Sequence, residues 1–111
     1  MDGLIKIQIK PLSVNQAWQG KRFKTPLYKQ WSVQTLLMMP KKINVPEGKL
    51  KVKINFGFSN SGSDIDNPVK PFLDMFKFKY DINDNRIYKL EVEKFIVKKG
   101  FDYIEFIIDK Y

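Results

Sequence analysis

The sequence predicts a small α+β domain with the order β-α-β-α-β-β, in which one mixed sheet with a C-terminal antiparallel hairpin carries two helices. Apolar and polar residues alternate in four segments, which is typical of strands that bury one face. A capping residue is followed by proline in Thr25-Pro26 and in Asn67-Pro68, which is typical of helix starts. The length of 111 residues suits one domain, so we expect residues 1–111 to form a single unit.

The first half of the chain is expected to contribute one strand and one helix. The strand covers residues 4–10, with alternating isoleucines, and ends at Pro11. A basic loop over residues 11–24 follows. Thr25 is then expected to cap a helix that runs to about Met39. Four residues of this helix fall on one face and are expected in the core: Tyr28, Trp31, Thr35 and Met38.

The middle of the chain is expected to form the most regular strand and a second helix. Alternation is cleanest over residues 49–58. The buried side of this strand is expected to carry Leu50, Val52, Ile54, Phe56 and Phe58. Asp66 or Asn67 is expected to cap the helix, which has Pro68 at its first position and ends near Phe78.

Two strands are expected at the C-terminal end, over residues 86–97 and 101–108. The turn sequence Lys98-Lys99-Gly100 between them predicts a hairpin. The first of the two is expected to run antiparallel to the strand at residues 49–58. Its alternation slips near Lys94-Phe95, which predicts a bulge there.

The charge of the chain favours a polyanionic partner. Lys and Arg number 20 against 12 Asp and Glu, which gives a formal net charge of +8 at pH 7. This excess favours nucleic acid through neutralisation of phosphates and release of counterions. The alternative is a lysine-rich solvated surface that binds nothing. The candidate phosphate contacts are five basic residues: Lys21, Arg22, Lys24, Lys41 and Lys42.

The composition also excludes several kinds of chemistry. The chain has no histidine and no cysteine, which excludes Ser-His-Asp triads, thiol nucleophiles and the usual zinc sites. Catalysis would have to use Asp, Glu, Lys, Tyr or a hard metal ion bound by oxygen. Because there is neither a long apolar run nor a signal-peptide pattern in residues 1–15, we expect a cytoplasmic protein without membrane contact.

Three aspartates flank the second predicted helix. Asp64 and Asp66 precede it, and Asp84 follows it. The helix carries the chain about 16 Å away, and an extended return of about 20 Å can bring Asp84 back, so we expect the three carboxylates to meet at one edge of the sheet. Grouped carboxylates repel each other unless a cation is bound, and oxygen ligands select Mg²⁺ or Mn²⁺. Lys70, one turn beyond Asp66, can reach a phosphate bound at the same place.

These acidic residues have two other interpretations. An EF-hand is excluded, because Arg86 stands where the calcium loop needs glycine and Val92 where it needs glutamate. The other alternative remains open: Asp64 and Asp66 are ordinary loop and capping residues, and Asp84 belongs to a turn.

The run Asp64-Ile65-Asp66-Asn67-Pro68-Val69-Lys70 resembles the RusA family of Holliday junction resolvases. The family pattern is an Asp-x-Asp-Asn-x-x-Lys run that opens a helix, followed by an acidic pair before a strand. Asp74 falls where the family often has another aspartate. Residues 11–15 and the Lys24-Thr25-Pro26 helix start are also similar, so the resemblance covers nearly the whole chain. One departure is Asn83-Asp84, where the family usually shows two aspartates.

The resemblance implies a homodimer that binds four-way DNA junctions and makes paired nicks. It also implies that Asp64, Asp66 and Asp84 hold Mg²⁺, with Mn²⁺ as a possible substitute, and that Lys70 is the essential cation. Asn83 offers an oxygen without a charge, which lowers the expected affinity for the metal.

Three hypotheses follow from the sequence. The leading one is a Mg²⁺-dependent, structure-selective endodeoxyribonuclease. The second is a catalytically inactive protein that binds branched DNA. The third is a protein–protein regulator whose positive charge is incidental.

Overall fold

The computed structural model describes residues 3–19 and 23–111 and confirms the α+β class. The main sheet has four strands in the order β1-β6-β4-β5, and β2 and β3 form a separate two-stranded ribbon. The elements in chain order are β1 (Ile5–Ile7), α1 (Val14–Ala17), β2 (Trp18–Gln19), β3 (Phe23–Lys24), α2 (Pro26–Met38), β4 (Leu50–Phe58), α3 (Val69–Tyr80), a 3-10 turn (Asp84–Arg86), β5 (Ile87–Ile96) and β6 (Tyr103–Lys110).

The last two strands run in opposite directions, as predicted, but they do not pair with each other. β4 lies between them, parallel to β5 and antiparallel to β6. The prediction that β5 runs antiparallel to β4 is therefore wrong, because the chain crosses over through α3 between the two strands. Three apolar residues of β6 are buried, namely Ile104, Phe106 and Ile108, whereas most of β5 is exposed. The more apolar strand therefore occupies the inside of the sheet, and the charged strand lies at its edge.

The core lies between α3 and one face of the sheet. All five apolar residues predicted for the buried side of β4 are buried, as expected from their alternation. Phe72 and Phe76 of α3 are fully buried and pack their rings edge-on or tilted against Phe106 of β6, with centroids 5.5 and 5.1 Å apart. Such ring pairs stabilise the fold beyond the area that they bury.

The first long helix follows the predicted start. The Thr25 hydroxyl caps α2 by accepting a hydrogen bond from the Tyr28 amide at 3.1 Å. Tyr28, Trp31 and Thr35 are buried, as predicted, whereas Met38 is 45% exposed and its neighbour Met39 is buried instead. The backbone leaves the helix at Met39 in an extended conformation, and this change of direction turns that side chain inward.

Several local predictions differ from the structure: the predicted basic loop over residues 11–24 contains α1, β2 and β3, and two strand details also differ. β1 is shorter than residues 4–10, because the chain turns after Ile7 and the amide of Ile9 bonds to the Ile7 carbonyl at 2.9 Å. The register shift in the β4–β5 pairing lies between Leu50 and Lys51, at the start of the strands, and not near Lys94-Phe95. The slip of alternation there reflects the position of β5 at the sheet edge, where a strict pattern is not needed.

The sheet face opposite α3, here called the open face, is rich in charged side chains. Asn55 lies near its centre and donates a hydrogen bond to Glu105 at 2.9 Å. The strand register places these residues on the open face: Lys6, Lys51, Lys53, Asn55, Gly57, Lys89, Glu91, Glu93, Phe95, Tyr103, Glu105, Ile107 and Asp109.

In the described residues, no helix is long and apolar enough to cross a membrane.

A substitution at Gly57 tests how Tyr103 packs on the open face, because a side chain at position 57 would overlap the ring of Tyr103. We expect Gly57→Ala to lower the free energy of unfolding by about 1 to 3 kcal/mol, the usual effect of overpacking. Urea denaturation measures this loss. In a Tyr103→Ala background the same change should cost less, and an equal cost in both backgrounds would contradict the packing of Tyr103 over Gly57.

Candidate functional site

The acidic run lies in the loop that joins β4 to α3 and is tied down at both ends. Lys94 of β5 donates hydrogen bonds to the carbonyls of Ser63 at 2.7 Å and Ser61 at 3.3 Å. The Asn67 carbonyl accepts a hydrogen bond from the Val14 amide at 2.8 Å. These contacts hold the loop against two other parts of the chain, so its carboxylates project from a defined backbone.

The start of α3 differs by one residue from the prediction. The helix begins at Val69, with Pro68 at the N-cap position and no side chain capping it. Asn67 does not cap, because its amide donates instead to Asp64 Oδ2 at 3.4 Å. Asp66 does not cap through its side chain either, and its carbonyl accepts from the Val69 amide at 3.1 Å. Both Asp64 and Asp66 therefore keep exposed carboxylates.

The chain returns from the end of α3 through a left-handed residue and a buried one. α3 ends at Tyr80, two residues beyond the expected Phe78, and Asp81 has a φ of 56°. Such a residue reverses the chain at a helix end. Ile82 is then buried in the core, which fixes the direction of the return.

Asp84 follows this return and begins the 3-10 turn. Asn83 caps that turn, since its side-chain oxygen accepts from the Asn85 amide at 3.2 Å. Arg86 donates to the carbonyls of Gly48 at 3.0 Å and Pro46 at 2.5 Å, which anchors the end of the turn. The amide oxygen of Asn83 is thus engaged by the backbone, while the Asp84 carboxylate is presented to α3.

Lys70 joins the two parts of the acidic pattern. Its ammonium lies 2.6 Å from Asp84 Oδ2 and 3.2 Å from Asp74 Oδ1. The hydrogen bond to Asp84, with the contribution of Asp74, raises the pKa of Lys70 above its usual value. Lys70 is therefore positively charged at neutral pH, and the contact persists until the pH rises through that raised pKa.

Two residues from the α2 side complete this arrangement. Tyr28 donates a hydrogen bond to Asp74 Oδ2 at 3.2 Å, and the Lys24 ammonium lies 3.5 Å from the same oxygen. Lys24 also donates to the Tyr28 hydroxyl at 2.9 Å. We call these five residues the Lys70 cluster: Lys24, Tyr28, Lys70, Asp74 and Asp84.

The three predicted metal ligands are not gathered into one group. Across residues 3–19 and 23–111, no three acidic side chains lie close enough together to hold a metal ion. Asp84 contacts Lys70, whereas Asp64 lines a separate groove of about 310 Å³ with Asn67 and Lys10. The structure therefore brings Asp84 to Lys70, but within the described residues it does not gather Asp64, Asp66 and Asp84 as expected.

The predicted DNA-contacting residues fall into three groups. Lys21 and Arg22 lie outside the described residues. Lys24 belongs to the Lys70 cluster and is not simply a surface lysine. Lys41 and Lys42 are exposed, and Lys42 lines a groove beside β1 and β6.

Sequence reasoning missed the part played by Tyr28. Its spacing assigned it to the core, and its ring is indeed buried and lies 6.3 Å from that of Trp31. Its hydroxyl nevertheless reaches Asp74, which lies 46 positions later in the chain. The spacing of Lys70 and Asp74, four residues apart on one helix, was a usable signal of their pairing.

No protein-family model and no curated protein matches this chain.

The left-handed conformation of Asp81 leads to a prediction on stability. Such a conformation costs a residue with a side chain about 1 to 2 kcal/mol, so we expect Asp81→Gly to raise the free energy of unfolding by about 1 kcal/mol. Chemical denaturation measures this gain. Asp81→Asn controls for the lost charge, and Asp81→Ala should be less stable than the glycine variant. Equal stability of the glycine and alanine variants would contradict the left-handed helix end.

Proposed function

We propose that the protein is a Mg²⁺-dependent endodeoxyribonuclease that cuts branched DNA, with four-way junctions as its substrate, in the cytoplasm. The observation that carries this proposal is the contact of Lys70 with Asp84 at 2.6 Å. These residues belong to the two separate parts of the pattern that resembles RusA resolvases, and they are 14 positions apart. Their direct contact supports the view that the two parts form one site.

The chemistry of the donor set fits a hard divalent ion. Asp64, Asp66 and Asp84 offer only carboxylate oxygens, and the first two are exposed. Mg²⁺ usually takes one or two carboxylates and keeps waters and substrate phosphates, so a complete protein cage is not required. In the proposed complex these three aspartates, which are not gathered in the described structure, would come together around the ion as DNA completes its shell. Bound there, it would lower the pKa of a water molecule and offset charge on the phosphate.

The residues of the chain itself would do the remaining work. The Lys70 side chain is 61% exposed, so a phosphate of the DNA can reach its ammonium group. Because it is charged at neutral pH, it can stabilise negative charge that develops on that phosphate. Asn67 donates to Asp64 and so orients one carboxylate. The positive charge of the protein as a whole attracts the DNA backbone, and Lys21, Arg22, Lys41 and Lys42 are the proposed contacts for the arms.

A second function has an observation in its favour. Asn83 stands where the resembled family usually has an acid, and its oxygen accepts a hydrogen bond from the Asn85 amide. Three acidic side chains do not gather within the described part of the chain. Both observations favour a catalytically inactive protein that binds branched DNA.

Cleavage of a labelled synthetic four-way junction distinguishes the two functions. With Mg²⁺ we expect paired symmetric nicks from the natural sequence and none with EDTA. Asp66→Asn should lower the rate by more than about 100-fold while junction binding remains, since even the outer partners of metal sites are worth about 10- to 100-fold. Asp81→Asn is the matched control, because it removes an exposed carboxylate at the C-terminal end of α3 and should leave the rate unchanged.

Other outcomes of that assay would contradict the nuclease. Tight binding without nicks at any Mg²⁺ concentration would favour the inactive binding protein. Loss of junction binding in Asp66→Asn would mean that this carboxylate is structural. If the protein binds no DNA at all, the third hypothesis, a protein–protein regulator whose positive charge is incidental, is favoured instead.

We further propose that the protein is a homodimer and that the open face binds the second copy of the chain. The open face carries four lysines and four acidic residues, so its net charge is zero, and the +8 of the chain arises from other residues. Two copies can therefore approach through this face without repulsion and with lysines opposite acids. A two-fold dimer would also present two sites to a two-fold junction.

Phe95 tests this arrangement, since it lies on the open face and is 37% exposed. We expect Phe95→Arg to weaken dimerisation by at least about 10-fold, which equals about 1.4 kcal/mol, as measured by sedimentation equilibrium. Leu37→Arg is the control, because Leu37 is 79% exposed on α2. A monomeric natural sequence, or dissociation by Leu37→Arg alone, would contradict the open face as the interface.

A further inference from the structure

The carboxylate of Asp74 receives contacts from α2, from its own helix α3 and from the last residue of β3. Its Oδ1 faces the Lys70 ammonium at 3.2 Å, one helical turn earlier on α3. Its Oδ2 accepts the Tyr28 hydroxyl at 3.2 Å and lies 3.5 Å from the Lys24 ammonium. Oδ1 therefore contacts Lys70, whereas Oδ2 is held by Tyr28 and Lys24.

Tyr28 is suited to hold this carboxylate in one orientation. Its ring is buried and fixed beside Trp31, so the hydroxyl has little freedom of position. Burial, with the nearby Asp74, raises the pKa of Tyr28 above its usual range. The hydroxyl therefore remains a hydrogen-bond donor at any pH at which the protein would work.

Lys70 needs such support because little else restrains it. Its side chain is 61% exposed, and a lysine loses considerable rotamer freedom when it is held in one place. Asp84 is its other contact, and the proposed function also assigns Asp84 to the metal ion. A metal ion on Asp84 would compete with the ammonium for the same carboxylate, and Asp74 would then be its remaining anchor.

We propose that Asp74 and Tyr28 are positioning residues, which place the Lys70 ammonium for contact with the phosphate of the DNA. This inference rests on the proposed nuclease function, in which Lys70 touches the substrate. Tyr28 orients Asp74, and Asp74 holds Lys70. Lys24 balances the charge of the second carboxylate oxygen.

The test compares two tyrosines that each lose one hydroxyl. Tyr28→Phe removes the hydrogen bond to Asp74, whereas Tyr80→Phe removes a hydrogen bond to the Pro40 carbonyl at 2.7 Å. Each substitution removes one phenol hydroxyl and one hydrogen bond to a protein oxygen, so the two variants are matched in what they delete. We expect Tyr28→Phe to lower kcat for junction cleavage by about 10- to 100-fold with KM unchanged, and Tyr80→Phe to leave both unchanged.

A double-mutant cycle separates positioning from general damage. Asp74→Asn should lower kcat as strongly as Tyr28→Phe or more, and Asp74→Glu should restore part of it. In a Lys70→Ala background, Asp74→Asn should have no further effect, because the residue that it positions is gone. Additive losses in that background, or equal effects of the two tyrosine variants, would overturn the inference.

A measurement without catalysis keeps the inference distinct from the proposed function. ¹⁵N relaxation of the lysine ammonium groups reports how rigidly each is held, and exposed Lys77 on the same helix is the internal reference. In an Asp84→Asn background, which removes the charge of the other carboxylate that contacts Lys70, we expect Lys70 to be more ordered than Lys77 and to lose most of that order when Tyr28→Phe is added. If the natural sequence cuts no DNA but this result holds, the proposed nuclease function is wrong and the positioning of Lys70 by Asp74 and Tyr28 is still supported. If Lys70 is as mobile as Lys77, the positioning fails whatever the nuclease result.

Discussion

The packing of α3 against the sheet through phenylalanine rings is the interaction on which the rest of the molecule depends. Phe72 meets Phe56 of β4 and Phe106 of β6 edge-on, with ring centroids 6.4 and 5.5 Å apart, and all three are fully buried. These contacts join the helix to two neighbouring strands at once. Lys70 and Asp74 each lie two residues from Phe72, so the same packing determines where their charged groups lie at the protein surface.

The charged residues of the site contribute little to the stability of that framework. Exposed ion pairs are worth about 0 to 1 kcal/mol, and the contact between Lys70 and Asp84 belongs to this class because Lys70 is 61% exposed. What the contact does is define the electrostatics at the start of α3. Because the core and not the charged residues stabilises the fold, substitutions in the Lys70 cluster can be tested for function with little loss of stability.

Local features of the chain were predictable because local chemistry decides them. The alternation in β4 predicted its five buried residues, since each side chain points to one face or the other. The Thr25 cap of α2 followed from the hydroxyl and the proline after it. The acidic run and Asp84 were also found from residue type and spacing, and Lys70 was expected beside them.

Features that depend on distant segments were not predictable in the same way. The placement of β6 between β1 and β4 depends on which strand gains more by burial, and a turn sequence at Gly100 cannot report that. The pairing of Tyr28 with Asp74 joins two helices whose contact no pattern in either one reveals. The capping by Asn83 likewise depends on how the chain returns from α3.

The sequence by itself determined the α+β class, the two long helices, the main strands and the candidate site residues, because these follow from side-chain type and short-range spacing. Only the tertiary structure decided the strand order, the direction of β5 and the partners of Lys70. These depend on contacts between segments far apart in the chain, and the free energy that selects them comes from burial of the whole core rather than from any one segment.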